Sequence, residues 1–160
     1  MVNLTLPFPV QLYGRTFTKA VVGSTGNMQF GSDSSFWINR PLPWDPYRYT
    51  LFPFWDDLNL IGIGRGIYTS VSGSPPNRVF NVEWKGSAND FEVRLYESLT
   101  SFEFIYGTGS GGTASIGVQK DLSYYTQVGY NVSQPAAGTK YAWSSVPCMK
   151  MPLAWSRPRK

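Results

Sequence analysis

The chain has 160 residues, of which 42% are hydrophobic and only 15% are charged, and it contains no histidine and a single cysteine. A chain of this length can bury roughly two-thirds of its unfolded surface, so the composition predicts one globular domain. The lack of histidine excludes Ser-His-Asp and Cys-His catalysis and histidine-containing zinc sites. The lone Cys148 excludes a disulfide within the chain.

The net charge of +4 is concentrated near the C-terminus. Residues 1–120 hold equal numbers of basic and acidic side chains, and the sequence ends in Arg157-Pro158-Arg159-Lys160. A nucleic-acid-binding domain should carry a basic surface on its folded part, so we expect no nucleic-acid partner. Near the N-terminus, no basic segment precedes an apolar helix, so we expect either a chain made without a signal peptide or a piece of a longer secreted protein, and no membrane insertion.

Hydrophobic and polar residues alternate over most of the chain, as is typical of half-buried β-strands. The predicted strands, in chain order, are residues 10–13, 17–22, 28–30, 51–54, 66–71, 79–85, 91–96, 102–106, 114–119, 125–130 and 141–144. Eleven short strands separated by turns rich in Gly, Pro, Asn and Ser predict an all-β fold. We expect a single antiparallel, jelly-roll-like β-sandwich over residues 1–145, followed by a tail of residues 146–160.

The three strands within residues 79–106 predict a register as well as a core. If Lys85 faces Glu92, then Glu83 faces Arg94, and a further pair with Glu103 gives a Glu83–Arg94–Glu103 ladder on the solvent face. The opposite face should be one apolar surface packed against the second sheet. Its residues are Phe80, Val82, Trp84, Phe91, Val93, Leu95, Phe102, Phe104 and Tyr106.

The long segment between the third and fourth strands, residues 32–50, is rich in aromatic side chains, and we call it the aromatic loop. Flat aromatic rings stack on sugars or fill the pocket of a protein partner, and long loops in compact domains are often functional. The candidate binding residues are therefore Trp37, Trp44, Tyr47 and Tyr49. Phe36 belongs to the same aromatic set, and the alternative is that several of these five residues cover the core of the sandwich.

The tail carries large apolar side chains, although a solvated tail is normally polar. Pro147 and Pro152 forbid a central strand or a continuous helix, but an extended segment remains possible. Either the tail packs on a neighbouring copy or an adjoining domain, or it folds back over an open edge of its own sandwich. The candidate assembly residues are Met149, Met151, Leu153 and Trp155.

Three other patterns invite a catalytic or metal-binding interpretation. Asp56 and Asp57 are the weak candidates for Ca²⁺ ligands, but neighbouring strand residues face opposite ways, so turn and backbone-capping roles are favoured. Ion pairing across strands accounts for the glutamates of the central strands. The glycine-rich residues 107–112 lack the Lys and the following helix of a phosphate-binding loop. We therefore expect no metal, no cofactor and no enzymatic activity.

Several segments, in order, resemble nidogen-type (NIDO-like) extracellular domains, especially bacterial versions found in secreted and surface proteins. Residues 8–14 and 23–31 (GSTGNMQFG) resemble the start of the family pattern, and residues 51–58 (LFPFWDDL) resemble its "iaPfWaDld" segment. The similarity covers about residues 7–121, with Thr25 departing from the usual Asn, and it continues through residues 66–68, 80–84, 91–96 and 116–118. The resemblance implies an extracellular domain without catalytic residues, used in adhesion or surface assembly.

The residues and the resemblance together predict a non-catalytic extracellular or surface module that binds proteins or assembles with them. Its expected partner is a second copy of the chain or a neighbouring domain. The alternative is a carbohydrate-binding module that contacts a polysaccharide through residues 36–49.

Overall fold

The computed structural model describes residues 1–144, which form eleven β-strands and no helix. All eleven predicted strands are confirmed, and the first is longer than predicted because Pro7 and Pro9 are tolerated at the edge of a sheet. The strands are β1 (Val2–Leu12), β2 (Arg15–Gly23), β3 (Asn27–Gln29), β4 (Thr50–Trp55), β5 (Gly66–Ser72), β6 (Val79–Lys85), β7 (Asp90–Tyr96), β8 (Ser101–Tyr106), β9 (Ala114–Gln119), β10 (Tyr125–Val132) and β11 (Lys140–Ser144).

The strands form two antiparallel sheets, which confirms the predicted sandwich. One sheet has the order β1-β2-β3-β4-β9-β10 and the other the order β11-β8-β7-β6-β5. The chain passes between the sheets after β4, β8 and β10, and elsewhere each strand is followed by its neighbour in the same sheet. The strand order is simpler than the jelly-roll-like order that we expected, because most of each sheet is a meander in which strands consecutive in the chain lie side by side.

The predicted core face is confirmed, since all nine of its residues on β6, β7 and β8 are buried. They pack against apolar residues of the other sheet such as Val22, Met28 and Leu51. Buried aromatic residues with polar atoms bond across the sandwich: Trp84 Nε1 donates to the Gly23 carbonyl at 2.8 Å, and the Tyr106 hydroxyl donates to the Pro53 carbonyl at 2.7 Å. These bonds remove the penalty of burying an unpaired donor.

The predicted register is confirmed between β7 and β8, where Arg94 lies opposite Glu103. It is wrong between β6 and β7, where Lys85 lies opposite Asp90 and Glu83 lies opposite Glu92. The reason is a tight turn, closed by a 2.7 Å bond from the Gly86 amide to the Asn89 carbonyl, which leaves Asp90 inside the strand. A shift of two residues keeps every side chain on its own face.

The predicted charge ladder is consequently wrong as well. Arg94 forms its ion pair with Glu92 on the same strand, and Lys85 lies 3.8 Å from both Glu83 and Asp90. Glu103 instead accepts hydrogen bonds from the Tyr96 hydroxyl at 2.6 Å and from Lys140 Nζ at 3.3 Å. Burial alone would raise the pKa of Glu103, but these two donors lower it below its ordinary value.

Candidate functional site

The aromatic loop covers the outer face of the six-stranded sheet, where it forms a third layer over β4 and β9. Every residue of β4 is buried, because its two faces pack against different clusters. Leu51 and Phe54 belong to the core between the sheets. Phe52 and Trp55 belong to a second cluster on the outer face, together with Leu42 and Tyr47 of the loop.

Polar side chains of β9 bind the backbone of the loop. Gln119 is fully buried, and its Nε2 donates to the carbonyls of Trp44 and Tyr47 at 2.9 and 2.8 Å, while its Oε1 accepts from the Trp44 amide at 2.8 Å. Ser115 Oγ donates to the Arg40 carbonyl at 2.6 Å. Sequence reasoning missed both residues. Their alternation with Ile116 and Val118 is typical of a solvated face, yet the loop occupies that face.

Tyr47 is fully buried, so it cannot contact a ligand at the surface, and its place among the candidate binding residues is corrected to a structural one. Its ring makes edge contacts with Phe52 and Trp55 at centroid distances of 4.9 and 5.0 Å. Its hydroxyl donates to the Phe36 carbonyl at 3.3 Å, and Trp55 Nε1 donates to the same carbonyl at 2.9 Å. Burial raises the pKa of Tyr47 to about 12.

Trp44 and Tyr49 are half-buried and lie in separate surroundings. The Arg40 guanidinium lies 5.5 Å from the centre of the Trp44 ring, an arrangement typical of a cation–π contact. Tyr49 instead packs against Phe17 and Tyr13 at centroid distances of 5.2 and 6.5 Å. The structure therefore does not bring the four predicted binding residues together into one site.

Three consecutive side chains of the loop project into solvent, and we call them the apolar ridge. Phe36, Trp37 and Ile38 are 45%, 56% and 40% exposed. The loop is held at Phe36, whose carbonyl accepts the two bonds described above, and just after Ile38 by the side chain of Asn39. Asn39 is buried, and its Nδ2 donates to the Thr113 carbonyl and, at 3.1 Å, to Asn131 Oδ1.

Asp56 caps backbone groups, as the sequence favoured. Its Oδ1 accepts a hydrogen bond from the Asp57 amide at 2.9 Å, and its Oδ2 accepts one from the Thr113 amide at 2.7 Å. Asp57 is exposed. Within residues 1–144, no group of three or more His, Cys, Asp or Glu side chains is arranged to hold a metal ion.

The predicted assembly residues Met149, Met151, Leu153 and Trp155 lie outside the described residues. No helix in the described part of the chain is long and apolar enough to cross a membrane.

Comparison with known proteins places the chain in a family. A family model described as NIDO related matches residues 1–153, which extends beyond the resemblance seen at residues 7–121 in both directions. Neither curated proteins nor solved structures gave a match. NIDO-like domains are typically extracellular and are not known as enzymes. Because the match covers nearly the whole chain, this protein belongs to the NIDO-related family.

Proposed function

We propose that this protein is a non-catalytic extracellular module that assembles with other proteins through the apolar ridge. The observation that carries the proposal is the exposure of Phe36, Trp37 and Ile38 in a loop that partly buried hydrogen bonds hold at both ends of the ridge. Contiguous exposed apolar side chains mark interaction sites, and tryptophan is enriched among the residues that dominate binding energy. Because the loop is already ordered, binding costs less conformational entropy.

The partner that we propose for the ridge is the C-terminal segment of a neighbouring copy. Met149, Met151, Leu153 and Trp155 occur at every second position, so in an extended segment all four side chains point to one face. The match to the family model reaches residue 153, which supports treating most of this segment as part of the domain and not as a linker. A contact of this kind is heterologous, so it generates rings or open chains.

The second candidate function is carbohydrate binding, which the exposed ring of Trp37 favours. A flat indole face stacks on a sugar ring, whereas the branched side chain of Ile38 cannot. The guanidinium of Arg40, four residues after Phe36, offers hydrogen-bond donors to sugar hydroxyls.

The two candidates are separated by substitutions within the ridge of the full chain. Protein assembly predicts that Ile38→Ser, Trp37→Ala and the replacement of all four apolar tail residues by Ser each reduce association in sedimentation velocity at micromolar concentration. Carbohydrate binding predicts that Trp37→Ala abolishes retention on a polysaccharide gel while Ile38→Ser leaves it intact. Tyr124→Ala is the matched control, because Tyr124 is as exposed as Trp37. Association that is unchanged in both the ridge and the tail variants would rule out the assembly proposal.

A further inference from the structure

Among the described residues, the two sheets end in four edge strands, and three of these carry features that discourage pairing with another chain. β1 contains Pro7 and Pro9, and its register with β2 is shifted between Thr5 and Val10. The pairing of β10 with β9 is shifted twice. β11 has only five residues and begins with Lys140. Prolines, bulges, charges and short length are the usual protections of an exposed sheet edge.

The fourth edge strand, β5, has none of these protections. Its seven residues, Gly66–Ser72, pair with β6 without any shift in register. The strand contains no charged residue and no proline, and its last five residues are exposed on both faces. Among residues 1–144 its only paired neighbour is β6, so its outer row of backbone amides and carbonyls is available to a further strand.

We propose that β5 pairs antiparallel with β5 of a second copy, about a two-fold axis at Thr69, to join two five-stranded sheets into one of ten strands. This register pairs all seven residues of the strand. It places Ile67 of one copy opposite Val71 of the other, and Tyr68 opposite Ser70. A two-fold contact of this kind uses the same surface on both copies, so the strand must be complementary to itself.

The side chains of β5 satisfy this requirement. Ile67 and Val71 lie opposite the core residues Trp84 and Phe80 of β6, so both point to the core side of the sheet. Val71 is nevertheless 48% exposed. The proposed pairing places Ile67 of the second copy beside Val71, and because of the two-fold symmetry this apolar contact occurs twice in each dimer. Arg65, just before the strand, lies opposite Gly73 of the other copy, so no like charges meet.

The proposal is tested at Thr69, the residue on the axis. Thr69→Lys places two ammonium groups directly opposite each other, which is destabilising in antiparallel pairs, so the dimer dissociation constant should rise at least about tenfold, a change of 1.4 kcal/mol. Thr69→Val should retain the dimer. Thr126→Lys, a matched change at an exposed position of β10, should leave the dimer intact. Far-ultraviolet circular dichroism and thermal melts establish that each variant is folded.

A cross-linking measurement tests the register directly. In a Cys148→Ser background, Thr69→Cys should give covalent dimers with a short bifunctional maleimide, because residues directly opposite each other have Cβ atoms about 4.5–5.5 Å apart. Thr126→Cys in the same background should not. A Thr69→Cys chain that cross-links no better than Thr126→Cys, or a dimer that survives Thr69→Lys, would overturn the proposal.

These outcomes are independent of the ridge and the tail. If both contacts exist, Ile38→Ser removes the ridge contact and reduces larger assemblies to β5-linked dimers. Thr69→Lys removes the β5 contact and leaves rings or linear assemblies whose repeating unit is one molecule. The double variant is monomeric. A substitution that leaves the size of the assembly unchanged therefore identifies the proposal that fails.

Discussion

The Phe36 carbonyl is the acceptor that fixes the first residue of the apolar ridge, and both of its donors come from buried aromatic side chains. Tyr47 therefore has two roles, since its ring fills the second cluster and its hydroxyl orients the backbone beneath the ridge. Trp37 has neither role, because its side chain is mostly exposed. The exposed ring and the buried ring of one loop should respond very differently to substitution.

Substitutions at Tyr47 separate packing from hydrogen bonding. Tyr47→Ala should lower the free energy of unfolding by about 3–5 kcal/mol, as is usual when a large buried aromatic residue is removed. Tyr47→Phe keeps the ring and loses one hydrogen bond, so about 1 kcal/mol is expected. Trp37→Ala should change stability by about 0.5 kcal/mol or less. Urea unfolding measures all three, and equal losses for Tyr47→Phe and Tyr47→Ala would contradict the packing role.

Four buried or half-buried tyrosines should make the fold sensitive to alkali. The pKa values of Tyr13, Tyr47 and Tyr96 are raised from 10.0 to about 12, in each case mainly by burial, with the Asp121 charge adding at Tyr13 and the Glu103 carboxylate adding at Tyr96. Burial also raises the pKa of Tyr106. Because the folded pKa exceeds the unfolded one, the neutral phenols stabilise the fold fully below pH 10. That stability is lost progressively as the pH rises towards 12.

Ultraviolet titration of the phenols checks this expectation. The titration should show a group of tyrosines that ionise only near pH 12, with unfolding accompanying that step. Tyr47→Phe should remove part of the amplitude near pH 12. Complete ionisation of the phenols well below pH 12 in a folded protein would contradict the burial argument.

At the scale of the strands, period-two alternation located every element but did not fix how neighbouring strands align. The β6–β7 register was missed because a shift of two residues preserves both faces, so only weak surface charge pairs, about 0.2–1 kcal/mol each, distinguished the alternatives. The backbone geometry of the Gly86–Asn89 turn outweighed them. The start of β1 was missed because prolines in a sequence do not reveal that the strand lies at an edge.

The β2–β3 turn requires a glycine at position 26. Its φ is +70°, and an added Cβ would lie 2.0 Å from the Phe54 carbonyl oxygen. Gly64 has a similar φ of +73° with open space around it, so it is the matched control for backbone strain alone. Gly64→Ala should cost about 1 kcal/mol. Gly26→Ala should cost clearly more, about 3 kcal/mol or above, because β3 and β4 must also move apart.

Chemical denaturation of both glycine variants gives the comparison. Equal losses would show that the turn can shift away from β4 without cost.

For the whole molecule, the decisive feature is that β4 and β9 are buried on both faces, by the second sheet and by the aromatic loop. The sequence predicted that this loop is a distinct aromatic segment, but not which of its rings are exposed. That outcome depends on Gln119 and Ser115, which are more than 60 residues away in the chain and bind the loop from the polar face of a strand predicted to be half-buried. Composition alone cannot show that Trp37 is exposed and Tyr47 is buried, because the residues of β9 that hold the loop are so distant in the sequence.

Phe104 belongs to the core that joins the two sheets. Phe104 is fully buried, lies opposite Val93, and contacts the rings of Phe102 and Trp143 at centroid distances of 5.8 and 5.4 Å. Phe104→Ala should lower the free energy of unfolding by about 3–5 kcal/mol, through lost burial and the cavity that remains. Phe36→Ala, the same change at an exposed position, should cost much less.

Because Phe104 lies between the sheets, its removal should weaken both together, so urea unfolding should remain a single transition with an unchanged dependence on denaturant. Fluorescence from the buried Trp84 and Trp55 reports on the inter-sheet core and on the outer cluster respectively. Tryptophan fluorescence and far-ultraviolet circular dichroism, two reporters measured on the same chain, should therefore change at the same urea concentration. A loss below about 1 kcal/mol for Phe104→Ala would mean that the sandwich core does not hold the sheets together. Separate midpoints for the two reporters would mean that the loop layer unfolds independently of the sandwich.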